Sequence, residues 1–374
     1  MLFYVIFNNG YSGIIQSQVF DRIDFLKTQL KQEIVIVVYV PIRSYLADRR
    51  AYRAKSPVKV YVIPMIGGLK HWNWVNVMSL PLFLWYRPRK VIGRAIFATN
   101  IGLWFRSIGL VNQVVYDGRG AVSEEWKEYL GQTGWPILLE RIEQLESNAI
   151  RESNLQLAVS QPMVQYWKDK FGFESGTETV IPCTVGQSFL EQIDPKKISR
   201  QSLGFTEQDV ILLISASKSD WQNISKEEEL LTSMLDSQGN LKLLVLSSQE
   251  LPSEFKQRFG KRIFQTWVNP KEVASYVSLC DFGFLSREES VTNRVASPVK
   301  FAEFICSGLK VLISSSIGDY SEMVAKHDLG LIIGAQTKEL SRPTVEDRQR
   351  IIAFGRAHLS LSAYTSQLKQ VFSN

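Results

Sequence analysis

Short apolar runs alternate with longer amphipathic stretches along the whole chain. In the first half the runs fall at 2–7, 34–40, 58–63, 90–92, 112–116, 155–159 and 179–181. In the second half they fall at 210–215, 242–246, 263–264, 282–285, 311–313 and 330–332. Between them the pattern predicts helices over 14–31, 124–148 and 162–171, then over 226–235, 270–279, 297–307 and 320–326. Runs that are apolar on successive residues suit strands buried on both faces, and their alternation with helices predicts parallel sheets. The pattern restarts near residue 210, after a polar stretch at 186–209 that holds Pro195 and Gly204 and reads as a linker. The expected fold is α/β, with two Rossmann-like, doubly wound domains facing a cleft. The domains are 1–185 and 186–357. A C-terminal segment, 358–374, carries a last helical stretch at 360–372 that can pack back on the first domain.

Composition narrows the possibilities. The 374 residues suit two domains of ordinary size. No segment reaches about 18 uninterrupted apolar residues, so no membrane span is expected, and the N-terminal MLFYVIFNNG reads as a first strand rather than a signal peptide. Cys183, Cys280 and Cys306 are widely spaced in apolar contexts, which suits buried free thiols in a reducing cytosol. His71, His327 and His358 have no partner at metal spacing, and no Asp-x-Asp pattern occurs, so no metal site is expected. P-loop and Gly-x-Ser-x-Gly signatures are absent. The net charge of +6 is concentrated at 43–94, where Arg and Lys interleave with Tyr, Trp and Phe. That region is either an ordinary solvated face or a surface for an anionic membrane. No nucleic-acid motif accompanies it, so no nucleic-acid partner is expected.

The most informative stretch is 281–320. The apolar run at 282–285 ends in Arg287-Glu288, and a polar loop with Asn293 and Arg294 follows. Ser297-Pro298 then opens a helix, with Ser297 as N-cap and Lys300 and Glu303 one turn apart. A strand end, a polar loop and a helix N-terminus together make an anion site. The order predicts a diphosphate site with a Lys and a Glu placed to read what is attached to it.

Other motifs fall in register with it. Asn9-Gly10-Tyr11-Ser12-Gly13 follows the first strand. Asp117-Gly118-Arg119-Gly120, with Glu124-Glu125, follows the run at 112–116, and Trp221-Gln222 follows 210–215. Ser297-Pro298-Val299-Lys300 leads to Glu303-Phe304 and then Gly308 before a Val/Ile strand. In this order the sequence resembles retaining glycosyltransferases of the GT-B fold. It looks most like glycosyltransferase family 4, in the subgroup serving bacterial surface-polysaccharide synthesis of capsule or O-antigen type.

The resemblance implies an enzyme that moves a sugar from a nucleotide-sugar donor to a glycan or polyprenyl-linked acceptor. It implies Lys300, Arg287 and Glu288 as catalytic residues. Donor contacts would come from Glu303 at the ribose, from Lys218 and the Ser297-Pro298-Val299 helix end at the diphosphate, and from Asn293. Gly10, Ser12, Gly13, Arg94, Asp117 and Arg119 would face the acceptor. The nucleotide sugar is a substrate, so neither cofactor nor metal is implied. The place of work would be cytoplasmic, peripheral on the inner membrane face and held there by 43–94.

The sequence also departs from that pattern. Val295 stands where many members carry a first glutamate, for which Glu288 or Asn293 are substitutes in the loop. Ser217-Lys218 stands where the family often has an Arg and a Lys, and Arg94 where many members have a histidine. Each site also has a plainer reading. Lys300 and Glu303 can form a helical ion pair, Arg287 and Glu288 an exposed salt bridge, and Gly10–Gly13 a tight turn. Two other functions remain open, a GT-B nucleotide-sugar epimerase and a non-catalytic sugar-nucleotide-binding subunit.

Overall fold

The computed structural model describes residues 1–8, 10–65, 72–130, 136–191, 198–215, 224–334 and 339–373. The chain forms two compact units. Unit 1 comprises Met1–Pro182, Arg294–Ala296 and Tyr364–Asn374, and unit 2 comprises Cys183–Asn293 and Ser297–Ala363.

Unit 1 is built on the strands β1 Leu2–Phe7, β2 Ile34–Pro41, β3 Val60–Met65, β4 Lys90–Arg94, β5 Gln113–Asp117, β6 Leu155–Ala158 and β7 Glu178–Val180. They form one sheet in the order β3-β2-β1-β4-β5-β6-β7, parallel throughout. Unit 2 is built on β8 Val210–Ser215, β9 Leu241–Leu246, β10 Ile263–Thr266, β11 Phe282–Leu285, β12 Lys310–Ile313 and β13 Gly330–Ile332. Its order is β10-β9-β8-β11-β12-β13, again parallel throughout. Every apolar run read from the sequence is a strand. Burial on both faces is the reason: Ile211 and Leu213 enter one core cluster, while Val210, Leu212 and Ile214 enter another on the opposite face. The strand order reverses between β1 and β4 and between β8 and β11. Just beyond the C-terminal ends of such strands, a parallel sheet holds its ligands.

The helices differ from expectation in several places, and Tyr45–Lys55, Trp74–Tyr86, Ala95–Ser107 and Ser253–Phe259 are helices that the apolar pattern did not single out. The stretch expected over 124–148 is two helices, Val122–Leu130 and Pro136–Glu152, the second opened by a proline at its first position. The helix Val345–Leu359 was not anticipated. It starts on a capping box in which Thr344 and Asp347 bond each other's backbone N–H. The first helical stretch has a single wide turn, Gln16–Phe20, before the regular helix Asp21–Leu30.

The last helix, Thr365–Phe372, buries Leu368, Val371 and Phe372 and packs on Asp21–Leu30 within unit 1. Buried Lys90, at the start of β4, donates to the carbonyls of Val371 (3.0 Å) and Ser373. Its ammonium thus meets the carbonyl-rich end of that helix.

Candidate functional site

In unit 2 the site starts from β11 and the helix Val299–Cys306. A Cβ built on Gly283 would lie 2.2 Å from the Phe304 ring, so the helix sits close against the strand only because residue 283 is glycine. The helix buries Phe301, Ala302, Phe304, Ile305 and Cys306, leaving Lys300 and Glu303 on its half-buried side. Phe301 stacks on Tyr320 at 4.0 Å between ring centroids.

Ser297 is not the N-cap. Pro298 takes that position, and no side chain caps the helix. The Ser297 hydroxyl accepts from the Cys183 N–H (2.9 Å) and shares a hydrogen bond with Tyr320 Oη (2.7 Å). It is buried in these contacts, so its part in anion binding can only be to position Pro298 and Val299.

Glu303 is the unusual group. Burial pushes its carboxyl up to about 7, against a smaller opposing pull from Lys300. Among the described residues no N–H or O–H donates to this carboxylate. A half-buried acid to which no described group donates can accept hydrogen bonds from hydroxyl groups.

At the end of β11, Arg287 Nη1 donates to Asn293 Oδ1 (3.0 Å), and Asn293 Nδ2 donates to the Glu288 carbonyl (3.0 Å). The Arg287 N–H donates to Ser314 Oγ (2.8 Å), at the end of β12. The structure therefore joins Arg287, Glu288 and Asn293 in one loop. Sequence reasoning missed Glu227, whose carboxyl is raised by burial and by Glu288 while Ser286 bonds it. It also missed a cavity of about 550 Å³ beside the ends of β9 and β10, lined by Ser247, Glu250 and the exposed Trp267 among others. Lys218 and Trp221-Gln222 lie outside the described residues. Val295 belongs to unit 1, where it is buried and its carbonyl accepts from the Ser160 hydroxyl (2.7 Å).

Asp281, which opens the motif, sits at the opposite end of β11 and is fully buried. Arg200 (2.7 Å), Arg348 (2.5 Å) and Arg342 (3.5 Å) surround Oδ1, and Ile211 N–H donates to Oδ2 (2.8 Å). It ties strands and loops together and is remote from the ligand edge of the sheet.

Unit 1 assembles its own group at the ends of β4 and β5. The Asp117 carboxylate meets Arg119 at 2.7 Å, Arg22 at 3.7 Å and Arg94 at 3.9 Å, and accepts from the Tyr4 hydroxyl. Burial alone would raise this carboxyl, but Arg119, then Arg22 and Arg94, outweigh it and hold it at about 2. Arg94 ends β4 and begins the helix Ala95–Ser107 without a side-chain cap. Glu146, also buried, accepts from the N–H groups of Val122 (3.0 Å) and Ser123 (2.9 Å), which fixes the loop after Arg119.

Nearby, Ser12 caps the first helical turn through Ile15 N–H (3.4 Å), and Tyr11 N–H donates to Asp48 (3.2 Å). Among the described residues, nothing beyond its chain neighbours lies within 4 Å of a Cβ built on Gly13, so no described contact demands glycine there. Tyr11 of the Gly10–Gly13 loop packs against Tyr52 at 6.0 Å between ring centroids. The Tyr52 hydroxyl is raised by burial and Asp48 and lowered by Arg94.

No protein-family model matches the chain, and no curated protein matches it in sequence. Solved structures do match it along nearly its whole length. HepE from Anabaena, solved with UDP and glucose, superposes with a TM-score of 0.67 at 16% identity, covering 99% of both chains. Sucrose-phosphate synthase from Thermosynechococcus elongatus gives 0.66 at 13%, covering 99% of this chain and 98% of that one. The fold is GT-B. A glycosyltransferase from Rickettsia africae, at TM-score 0.61 and 12% identity, covers 99% of this chain and 97% of its own. Among the described residues of this GT-B chain, no helix is long and apolar enough to cross a membrane and no acid, His and Cys group is set to hold a metal ion.

Proposed function

We propose that the chain is a nucleotide-sugar-dependent glycosyltransferase whose donor binds on unit 2. The observation that carries this reading is Glu303, a carboxyl at about 7 to which no group among the described residues donates, one turn from Lys300 on the helix that follows β11. Ribose hydroxyls fill its lone pairs. Lys300 and the uncapped helix start face the diphosphate, and Arg287 and Glu288 hold the loop at the reacting end. As the sugar–phosphate bond breaks, charge builds on the departing diphosphate, and fixed cations and N–H dipoles lower the barrier. The leaving phosphate takes the acceptor's proton.

HepE was solved with UDP and with UDP-glucose, which makes UDP sugars the first donors to try. Trp267 and its hollow suit a nucleobase. Retention of configuration and a role in surface polysaccharide, of capsule or O-antigen type, rest on the resemblance of the motifs to glycosyltransferase family 4.

Unit 1 takes the acceptor through Arg94, Asp117, Arg119 and the Gly10–Gly13 loop. A membrane-held acceptor fits the surface around 43–94. Trp74, Val77, Pro81 and Leu84 form an exposed stripe along the helix Trp74–Tyr86, with Trp85 83% exposed beside it. Arg50, Arg53, Lys55, Arg87 and Arg89 are exposed in the same region. Work in the cytoplasm, at the inner membrane face, is part of the same proposal, and the exposed aromatic and basic residues support it.

Thermal unfolding in the presence of a nucleotide-sugar panel tests the donor assignment. A true donor raises the melting temperature of the wild type, and Lys300→Ala abolishes the rise. A full rise in Lys300→Ala refutes the placement.

A further inference from the structure

The cluster at the ends of β4 and β5 carries more positive charge than a structural ion pair needs. Arg22, Arg94 and Arg119 converge on one carboxylate, Asp117, and the Arg22 side chain is only 2% exposed and that of Arg94 9%. Asp48 is engaged by Tyr11 N–H, and no ion pair joins it to Arg22 or Arg94 among the described residues. At least one positive charge is therefore left over in a largely dry place, which is costly unless an anion completes it. Two donors are buried with no hydrogen-bond partner among the described residues, Nε of Arg22 and Nη1 of Arg94. The Ala95–Ser107 helix starts at Arg94, adding the positive end of a thirteen-residue dipole. The site also lies where the strand order reverses, between β1 and β4.

The Asp281 cluster in unit 2 shows what a purely structural arrangement looks like. It too has three arginines on one aspartate, but Glu207 supplies a second acid to Arg342, and no nitrogen of the three is buried without a partner among the described residues.

We propose that Arg22, Arg94 and the start of the Ala95–Ser107 helix form an oxyanion site for a phosphoryl group, steadied by the Arg119–Asp117 pair. Guanidinium forks match phosphoryl oxygens, and Asp117 keeps Arg119 aligned while leaving the excess charge in place. Resting on the transferase reading, this makes the acceptor a phosphorylated molecule, either a soluble sugar phosphate or a prenyl-linked phosphate.

The test is thermal unfolding with inorganic phosphate against chloride at equal ionic strength. Wild type is expected to gain several degrees in phosphate, and Arg94→Gln to lose that gain while melting no lower than wild type in chloride. A purely structural role predicts the reverse, a lower melting point in chloride and an unchanged phosphate gain, and overturns the proposal. A phosphate gain kept in Arg94→Gln but lost in Lys300→Ala also overturns it, because the anion then sits on the donor helix, and that same result supports the donor reading. Should Arg94→Gln not fold, a tungstate soak of wild-type crystals decides. Density against Arg22 and Arg94 supports the site, and its absence there refutes it. A hexose phosphate and a short prenyl phosphate then compete with phosphate on the wild type. Displacement by either supports the acceptor assignment and names its source, and displacement by neither overturns it.

Discussion

Replacing Glu303 by glutamine separates a functional acid from a structural one. The carboxyl stands at about 7 instead of 4.5 because burial opposes its charge. That difference corresponds to about 3 kcal/mol. The sign follows from linkage. Below about pH 4.5 the acid is neutral in both native and unfolded chains and contributes nothing. As pH rises from there through 7, the unfolded chain ionises first and native stability falls, by the full amount above pH 7. Glutamine has the same shape and no charge, so Glu303→Gln should be more stable than wild type at pH 8 and equal to it near pH 4.5. For a unit of this size the gain at pH 8 amounts to roughly 6–12 °C in melting temperature. The assay is thermal unfolding at pH 4.5, 6, 7 and 8. The same variant should lose the stabilisation a nucleotide sugar gives, about 2.7 kcal/mol for wild type at a hundredfold excess over Kd. A variant that melts lower at pH 8, or differs from wild type equally at every pH, would refute the reasoning. So would one that binds donor as wild type does.

Asp117→Asn should flatten the acid limb of unfolding. The depressed carboxyl stabilises the native chain above about pH 4, and that contribution is lost as pH falls through about 2. The variant should also be about 3–5 kcal/mol less stable at pH 7, read by thermal or urea unfolding, because three guanidiniums lose their counter-charge. Gly283→Ala places a methyl 2.2 Å from the Phe304 ring and should cost about 1–3 kcal/mol by urea unfolding. It should also weaken donor binding in calorimetry, because the helix carrying Lys300 and Glu303 is pushed off the strand. The double variant Trp74→Ser, Trp85→Ser should fold as wild type and lose co-sedimentation with anionic vesicles, and unchanged co-sedimentation removes the apolar stripe from the membrane account.

The central strands were legible because they are apolar on both faces, a signal that needs no knowledge of neighbours, whereas the edge strands β3, β7, β10 and β13 are half-buried or exposed and were legible only from their place in the alternation. Helix ends were less so. Ser297 before Pro298 has the form of a cap, yet its hydroxyl is taken by Cys183 and Tyr320, which are distant in sequence, and the helix starts one residue later. The missed helix at Val345–Leu359 did carry a signal, since Thr344 and Asp347 have capping-box spacing. At the donor site Lys300 and Glu303 were readable from the motif, but that no described group donates to Glu303 was not, because hydrogen bonding is tertiary. Arg22 shows both sides. Val19, Arg22, Ile23 and Leu26 are spaced as one buried helical face, so a guanidinium stands where an apolar residue belongs. That anomaly was visible in the sequence, but its meaning required Arg94 and Asp117 to be brought beside it by strands far along the chain.

The central claim is tested most directly by nucleoside diphosphate release from UDP-glucose and related donors, measured with and without a membrane extract as the source of acceptor. The account expects release that depends on extract, labels a product in that extract, and disappears in Lys300→Ala. Release of free sugar without extract would mark an epimerase or hydrolase. No release from any donor that nonetheless stabilises the chain would mark a binding subunit, and either result contradicts the transferase.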